Sequence, residues 1–141
     1  MSGMVVAVRE WGRWLSYWAP ALVWMGIIFF LSGRTADELG GWFPFLPDLN
    51  WGHLVGYLVL AVLVRFALKR TVATPRPGGW AVLIGVLYGI SDEFHQYFVP
   101  SRSPDVKDLA VDAVGALLGV LLVSWLEKRN TRAVFILDRR R

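Results

Sequence analysis

The chain of 141 residues contains no cysteine, which rules out disulfides and thiolate ligation of a metal and leaves the compartment open. Histidine is scarce, with only His53 and His95 present. No internal repeat or low-complexity tract is visible. Acidic residues are few and confined: eight of the eleven lie between Asp37 and Asp48 or between Asp92 and Asp112. Apolar residues, in contrast, make up 55% of the chain, with eight Trp and eight Phe. A soluble domain of this size has too little interior to hide so much apolar surface, so the composition points to a single-domain integral membrane protein.

Positive charge marks the sides of the membrane. Arg9 and Arg13, then Arg65, Lys69, Arg70 and Arg76, then Lys128, Arg129, Arg132, Arg139, Arg140 and Arg141 account for twelve of the fifteen Lys and Arg residues. Such clusters flanking apolar segments follow the positive-inside rule, and no nucleic-acid partner is expected from them. Residues 1–13 read as a cytoplasmic amphipathic lead, 14–126 as a transmembrane domain and 127–141 as a basic cytoplasmic tail, in which Ala133–Leu137 is expected to lie on the membrane surface. The first apolar segment runs from about Trp14 to Leu31. It is long for a signal peptide, and Ser32-Gly33-Arg34 is no cleavage site, so a retained helix is expected, with Pro20 tolerated in its first turns. Residues 32–50 read as an aromatic-rich linker. A second helix is expected from Asp48 or Asn50 to Leu68, with Arg65 snorkelling to the basic side. A basic loop over 69–79 leads to a third segment, Trp80–Val99. Ser103 as cap and Pro104 at the first helical position open a fourth, from Asp105 to about Trp125. The expected architecture is all-α: four transmembrane helices in a bundle, both termini cytoplasmic. The loops then left outside hold only Arg34, Arg102 and Lys107.

The third segment carries Asp92, Glu93, His95 and Gln96 within five residues. A charge at the bilayer centre costs roughly 2.5–3.5 kcal/mol on insertion scales, so such residues face a protein interior and have partners there. At 100° per residue Tyr88, Asp92 and His95 share one helix face, with Gln96 beside them, Glu93 at the border, and Leu83, Leu87, Ile90 and Phe94 opposite. On the fourth helix Asp105, Asp108, Asp112, Gly115 and Gly119 form one stripe, its glycine pair suited to close helix approach. The second helix contributes His53, Gly56 and Tyr57 at its start. The expected topology puts all three polar groups at one depth, lining one outward-facing pocket with Arg102 at its rim.

Three stretches together resemble the VanZ family of small bacterial membrane proteins, named after a teicoplanin (glycopeptide) resistance protein. They are Phe29-Phe30-Leu31-Ser32; His53 with Tyr57 and Leu60; and Leu87-Tyr88-Gly89-Ile90-Ser91-Asp92-Glu93-Phe94-His95-Gln96 followed by Val99-Pro100-Ser101-Arg102, Asp108 and Gly115-Ala116-Leu117-Leu118-Gly119. The likeness spans about residues 25–122. The chain departs from it at Asp112, where the family more often has Asn, and at Asn50 and Trp51, where a charged residue is more usual. The resemblance implies a role in the envelope and carries over His53, Asp92, Glu93, His95, Gln96, Arg102 and Asp108 as polar positions.

Several chemistries fit these residues. Asp92 and His95, at i and i+3, suit a general base oriented by a carboxylate, with Glu93 as acid–base partner and His53 nearby; the same groups also suit a buried packing clamp. His53, His95 and a carboxylate, Glu93 or Asp108, would suit a divalent metal, although no H-E-x-x-H spacing is present. Arg102 beside a helix start suits a phosphate, or else a salt bridge to Asp105 or Asp108. Gln96, Tyr57, Tyr88 and Asp108 complete the expected substrate contacts. The leading expectation is a protein of the cytoplasmic membrane that acts on or binds a lipid or lipid-linked envelope precursor. A non-catalytic membrane scaffold or lipid- or drug-binding bundle and a small proton-linked transporter are the alternatives, and a second copy of the chain is among the expected partners.

Overall fold

The computed structural model describes residues 2–45 and 50–138, with side chains from 11–45 and 50–131. Among the described residues there are five helices and no strand: α1 (Ser2–Ser32), α2 (Ala36–Trp42), α3 (Asn50–Thr71), α4 (Pro77–Gln96) and α5 (Val106–Asp138). The chain is therefore all-α. Three helical segments, Trp11–Ser32, Asn50–Thr71 and Val106–Thr131, are long and apolar enough to cross a membrane. The chain is thus a multi-pass membrane protein in its length and composition.

The boundaries differ from the sequence-based expectations in instructive ways. The lead is continuous with α1, with Pro20 inside the helix. Within the 32–50 linker lies α2, started by a capping box: the Thr35 hydroxyl accepts the Glu38 N–H at 3.2 Å and the Glu38 carboxylate accepts the Thr35 N–H at 2.8 Å. Asp48, one of the two caps considered for the second helix, lies outside the described residues. Helix α4 starts at Pro77 rather than Trp80, since proline at the first helical position has a preset φ and no N–H to lose. It stops at Gln96 rather than Val99. Beyond it, Val99–Arg102 closes a turn through Arg102 N–H to the Val99 carbonyl, with Pro100 second and Ser101 third at φ 63°. Helix α5 is capped by Asp105, whose carboxylate accepts the Lys107 N–H at 2.9 Å, and not by Ser103. It continues without a break to Asp138, so the segment expected to lie on the surface prolongs the helix.

Packing centres on α3, which touches α1, α4 and α5. Its first half runs beside the first half of α5, where a Cβ on Gly115 or Gly119 would strike the Leu54 or Leu58 carbonyl oxygen. Helix α4 lies across both, with Gly85 against Ala116. Far from these contacts, Arg65 makes a bidentate pair with Glu127 at 3.0 and 2.8 Å, joined by Lys69 at 2.9 Å. Arg65 is therefore held between helices rather than snorkelling, because a planar guanidinium fork matches a carboxylate. The interior is built on Ala21, Ile28, Tyr57, Leu60, Val64, Leu68 and Ala81.

Helix α4 is arranged inside out relative to a helix in water. Leu87, Ile90 and Phe94 are 56, 50 and 68% exposed, while Asp92, Glu93 and Gln96 are 2, 8 and 1% exposed.

Candidate functional site

Helices α1 and α4 end where α3 and α5 begin, and polar side chains from all four meet there. Asp92 of α4 accepts a hydrogen bond from the Ser32 hydroxyl of α1 at 2.9 Å and a long one from the Gln96 amide at 3.4 Å, all three residues being buried. Its other oxygen, Oδ1, is buried without a partner. Asp112 of α5, fully buried, pairs through Oδ1 with Nδ1 of His53 on α3 at 2.9 Å, and its Oδ2 also lacks a partner. That Oδ2 lies so near Gly89 of α4 that a Cβ there would come within 2.9 Å of it. Glu93 accepts the Asp105 N–H through Oε2 at 2.8 Å, which ties α4 to the cap of α5, while Oε1 is buried and unpartnered. Buried polar atoms are nearly always hydrogen-bonded, so a group of such orphans at one end of the fold calls for a reason.

The sequence-derived pairings are rearranged. The base-and-orienter pair expected within α4 does not form: Asp92 is bonded to Ser32 and Gln96, and His95 turns to α1, its ring stacked on Phe29 with centroids 4.1 Å apart. The carboxylate–imidazole pair is Asp112 with His53, between α5 and α3. A nitrogen of His53 and carboxylate oxygens of Glu93 and Asp108 lie within 4.8 Å of one another, a set that leaves His95 outside. Tyr57 is buried between the rings of His53 and Tyr88 with its hydroxyl unpaired. Tyr88 commits its hydroxyl to the Met25 carbonyl of α1 at 2.7 Å, a structural bond rather than a free donor. Arg102 takes neither acidic partner; its Nε donates to the Arg34 carbonyl at 3.3 Å, just beyond the end of α1.

A pocket of about 420 Å³ opens between α1, α2 and α3 at this end. Trp24, Ile28, Leu39 and Phe43 form apolar wall, and Ser32, His53, Tyr57, Asp92 and Arg102 supply the polar part. The Trp24 indole fixes one wall by donating to the Gly56 carbonyl of α3 at 2.8 Å. Sequence reasoning placed Asp112 in the polar stripe but did not pair it with His53, and it missed Ser32 as a partner of Asp92 and Leu39 as part of the wall. The signals were present, since Asp112 belongs to the same stripe as the two seam glycines and Ser32 ends the first apolar run.

A family model described as VanZ/LLP1 matches residues 17–127. No curated protein and no solved structure matches the chain.

Proposed function

The chain belongs to the VanZ/LLP1 family, and from that premise we propose that it is a four-span protein of the bacterial cytoplasmic membrane that holds an amphipathic, lipid-linked envelope component in an outward-facing pocket. The pocket itself carries the reading: about 420 Å³ with apolar walls and one polar end that includes Arg102. Ligand sites of this kind combine mostly apolar lining with a few placed polar groups. An acyl or isoprenoid chain fits against Trp24, Ile28 and Leu39, and a phosphate or sugar headgroup fits beside His53 and Arg102. Among the described residues Arg102 forms no ion pair, which leaves its guanidinium for an anionic headgroup.

Helix α4 is the fourth span in this reading. Its apolar residues face outward and its carboxylates inward, the pattern that a hydrocarbon solvent demands. The basic clusters at Arg65–Arg76 and beyond Glu127 then lie inside, and the pocket opens outside. By family, the consequence is an envelope altered so that teicoplanin-like glycopeptides act less well.

The test is teicoplanin susceptibility in a host without its own copy, comparing wild type, Arg102→Gln and His95→Gln at matched membrane levels. Wild type is expected to raise the inhibitory concentration, Arg102→Gln to lose most of that gain, and His95→Gln, stacked outside the pocket, to keep it. Equal protection by wild type and Arg102→Gln would remove the headgroup role and leave a scaffold.

A further inference from the structure

Four carboxylates, Asp92, Glu93, Asp108 and Asp112, converge where α4 meets α3 and α5, and among the described residues none pairs with Lys or Arg. His53 is the single basic partner, and it is already bonded to Asp112. Removing several like charges from water without compensation is costly, so the cluster needs protons or a cation. Its geometry favours a cation. A His53 nitrogen and one oxygen each from Glu93 and Asp108 come within 4.8 Å of one another, from three different helices. Glu93 is 92% buried, as its 8% exposure implies, and keeps Oε1 without a partner. The Asp112 bond to Nδ1 sets the imidazole tautomer and leaves Nε2 as the nitrogen with a free lone pair. A carboxylate holding the far nitrogen of a histidine is the usual support for a metal-ligating imidazole.

We propose that His53, Glu93 and Asp108 bind a divalent transition-metal ion, with Asp112 as the positioning residue behind His53. One imidazole and two carboxylates suit Zn²⁺ or Mn²⁺ better than Mg²⁺ or Ca²⁺, which favour all-oxygen shells. Three protein ligands leave at least one coordination position open. His53 is the member of the set that also lines the pocket. The site rests on its own geometry and stands whether or not the pocket holds a lipid.

The experiment uses the full chain purified in detergent, stripped with a chelator and titrated with Zn²⁺ or Mn²⁺. Bound metal is measured after desalting, and Co²⁺ is substituted to give a visible spectrum that reports nitrogen ligation. Wild type is expected to retain one ion per chain. His53→Gln, Glu93→Gln and Asp108→Asn are each expected to weaken binding at least tenfold. Asp112→Asn is expected to weaken it about 10–100-fold while keeping one ion per chain at saturation, as loss of an orienting partner does. His95→Gln, outside the set, binds as wild type. Thermal unfolding in metal-free buffer identifies any variant that has lost its fold; Asp108, half-buried, provides the mildest change. Substoichiometric metal on folded wild type, or unchanged affinity in folded Asp108→Asn, would overturn the proposal.

Discussion

At Gly115 the constraint comes from the backbone of a neighbouring helix. A methyl group there would meet the Leu54 carbonyl, and one at Gly119 the Leu58 carbonyl, so neither neighbour can yield by a rotamer change. Gly26 in α1 is also helical, yet nothing lies within 4 Å of its would-be Cβ. Gly115→Ala is therefore expected to destabilise the fold by about 1–3 kcal/mol through overpacking. Gly26→Ala should stay within about 1 kcal/mol of wild type, in the stabilising direction. Thermal unfolding in detergent compares the two; equal effects would mean that the seam gives way easily. The seam was readable from the spacing of Gly115 and Gly119. The partner of Asp112 was not, because spacing places a residue on a helix face but does not say how that face is turned toward its neighbours. The same ignorance of rotation gave His95 to Asp92, when the ring instead stacks on Phe29.

Among the elements, α2 shows best what was legible and what was overlooked. Thr35-Ala36-Asp37-Glu38 spells a capping box, but the surrounding glycines, prolines and aromatics made the stretch look like loop. The cap also gives the helix a pH response. The Thr35 N–H holds the Glu38 carboxyl below its ordinary value of 4.5. A lowered folded-state value means that the cap contributes fully above the unfolded value and is lost as pH falls through the folded one. Amide protection across α2, taken relative to the intrinsic exchange rate, should accordingly fall below about pH 4.5, and Thr35→Ala should lower it at neutral pH as well, at a cost of about 1 kcal/mol. Protection that is independent of pH from 6 to about 3 would show that the Phe30–Trp42 stack, and not the cap, holds α2. The three long apolar helices were plain from hydropathy. Helix α4 was legible as a helix for a different reason, the separation of its polar and apolar faces.

For the molecule as a whole the proposed topology puts the pocket outside and the basic clusters inside. A single cysteine reads this directly, since the natural chain has none to interfere. Ser103→Cys sits in the exposed turn before α5 and Ala73→Cys in the exposed turn after α3. An impermeant maleimide on intact cells is expected to label the first and spare the second. The reverse pattern would invert the topology and place the pocket inside. Length adds a further consequence. Helices α1 and α5 have 31 and 33 residues, about 46 and 50 Å at 1.5 Å each, against a hydrocarbon core of about 30 Å. The start of α1 and the finish of α5 both lie at the end away from the pocket, so in the proposed four-span arrangement the excess of each emerges on that side. In that arrangement an affinity tag or fluorescent fusion on either terminus is separated from the pocket mouth by the full depth of the bilayer, and a protein captured by such a handle is expected to present that mouth freely to whatever is washed over it.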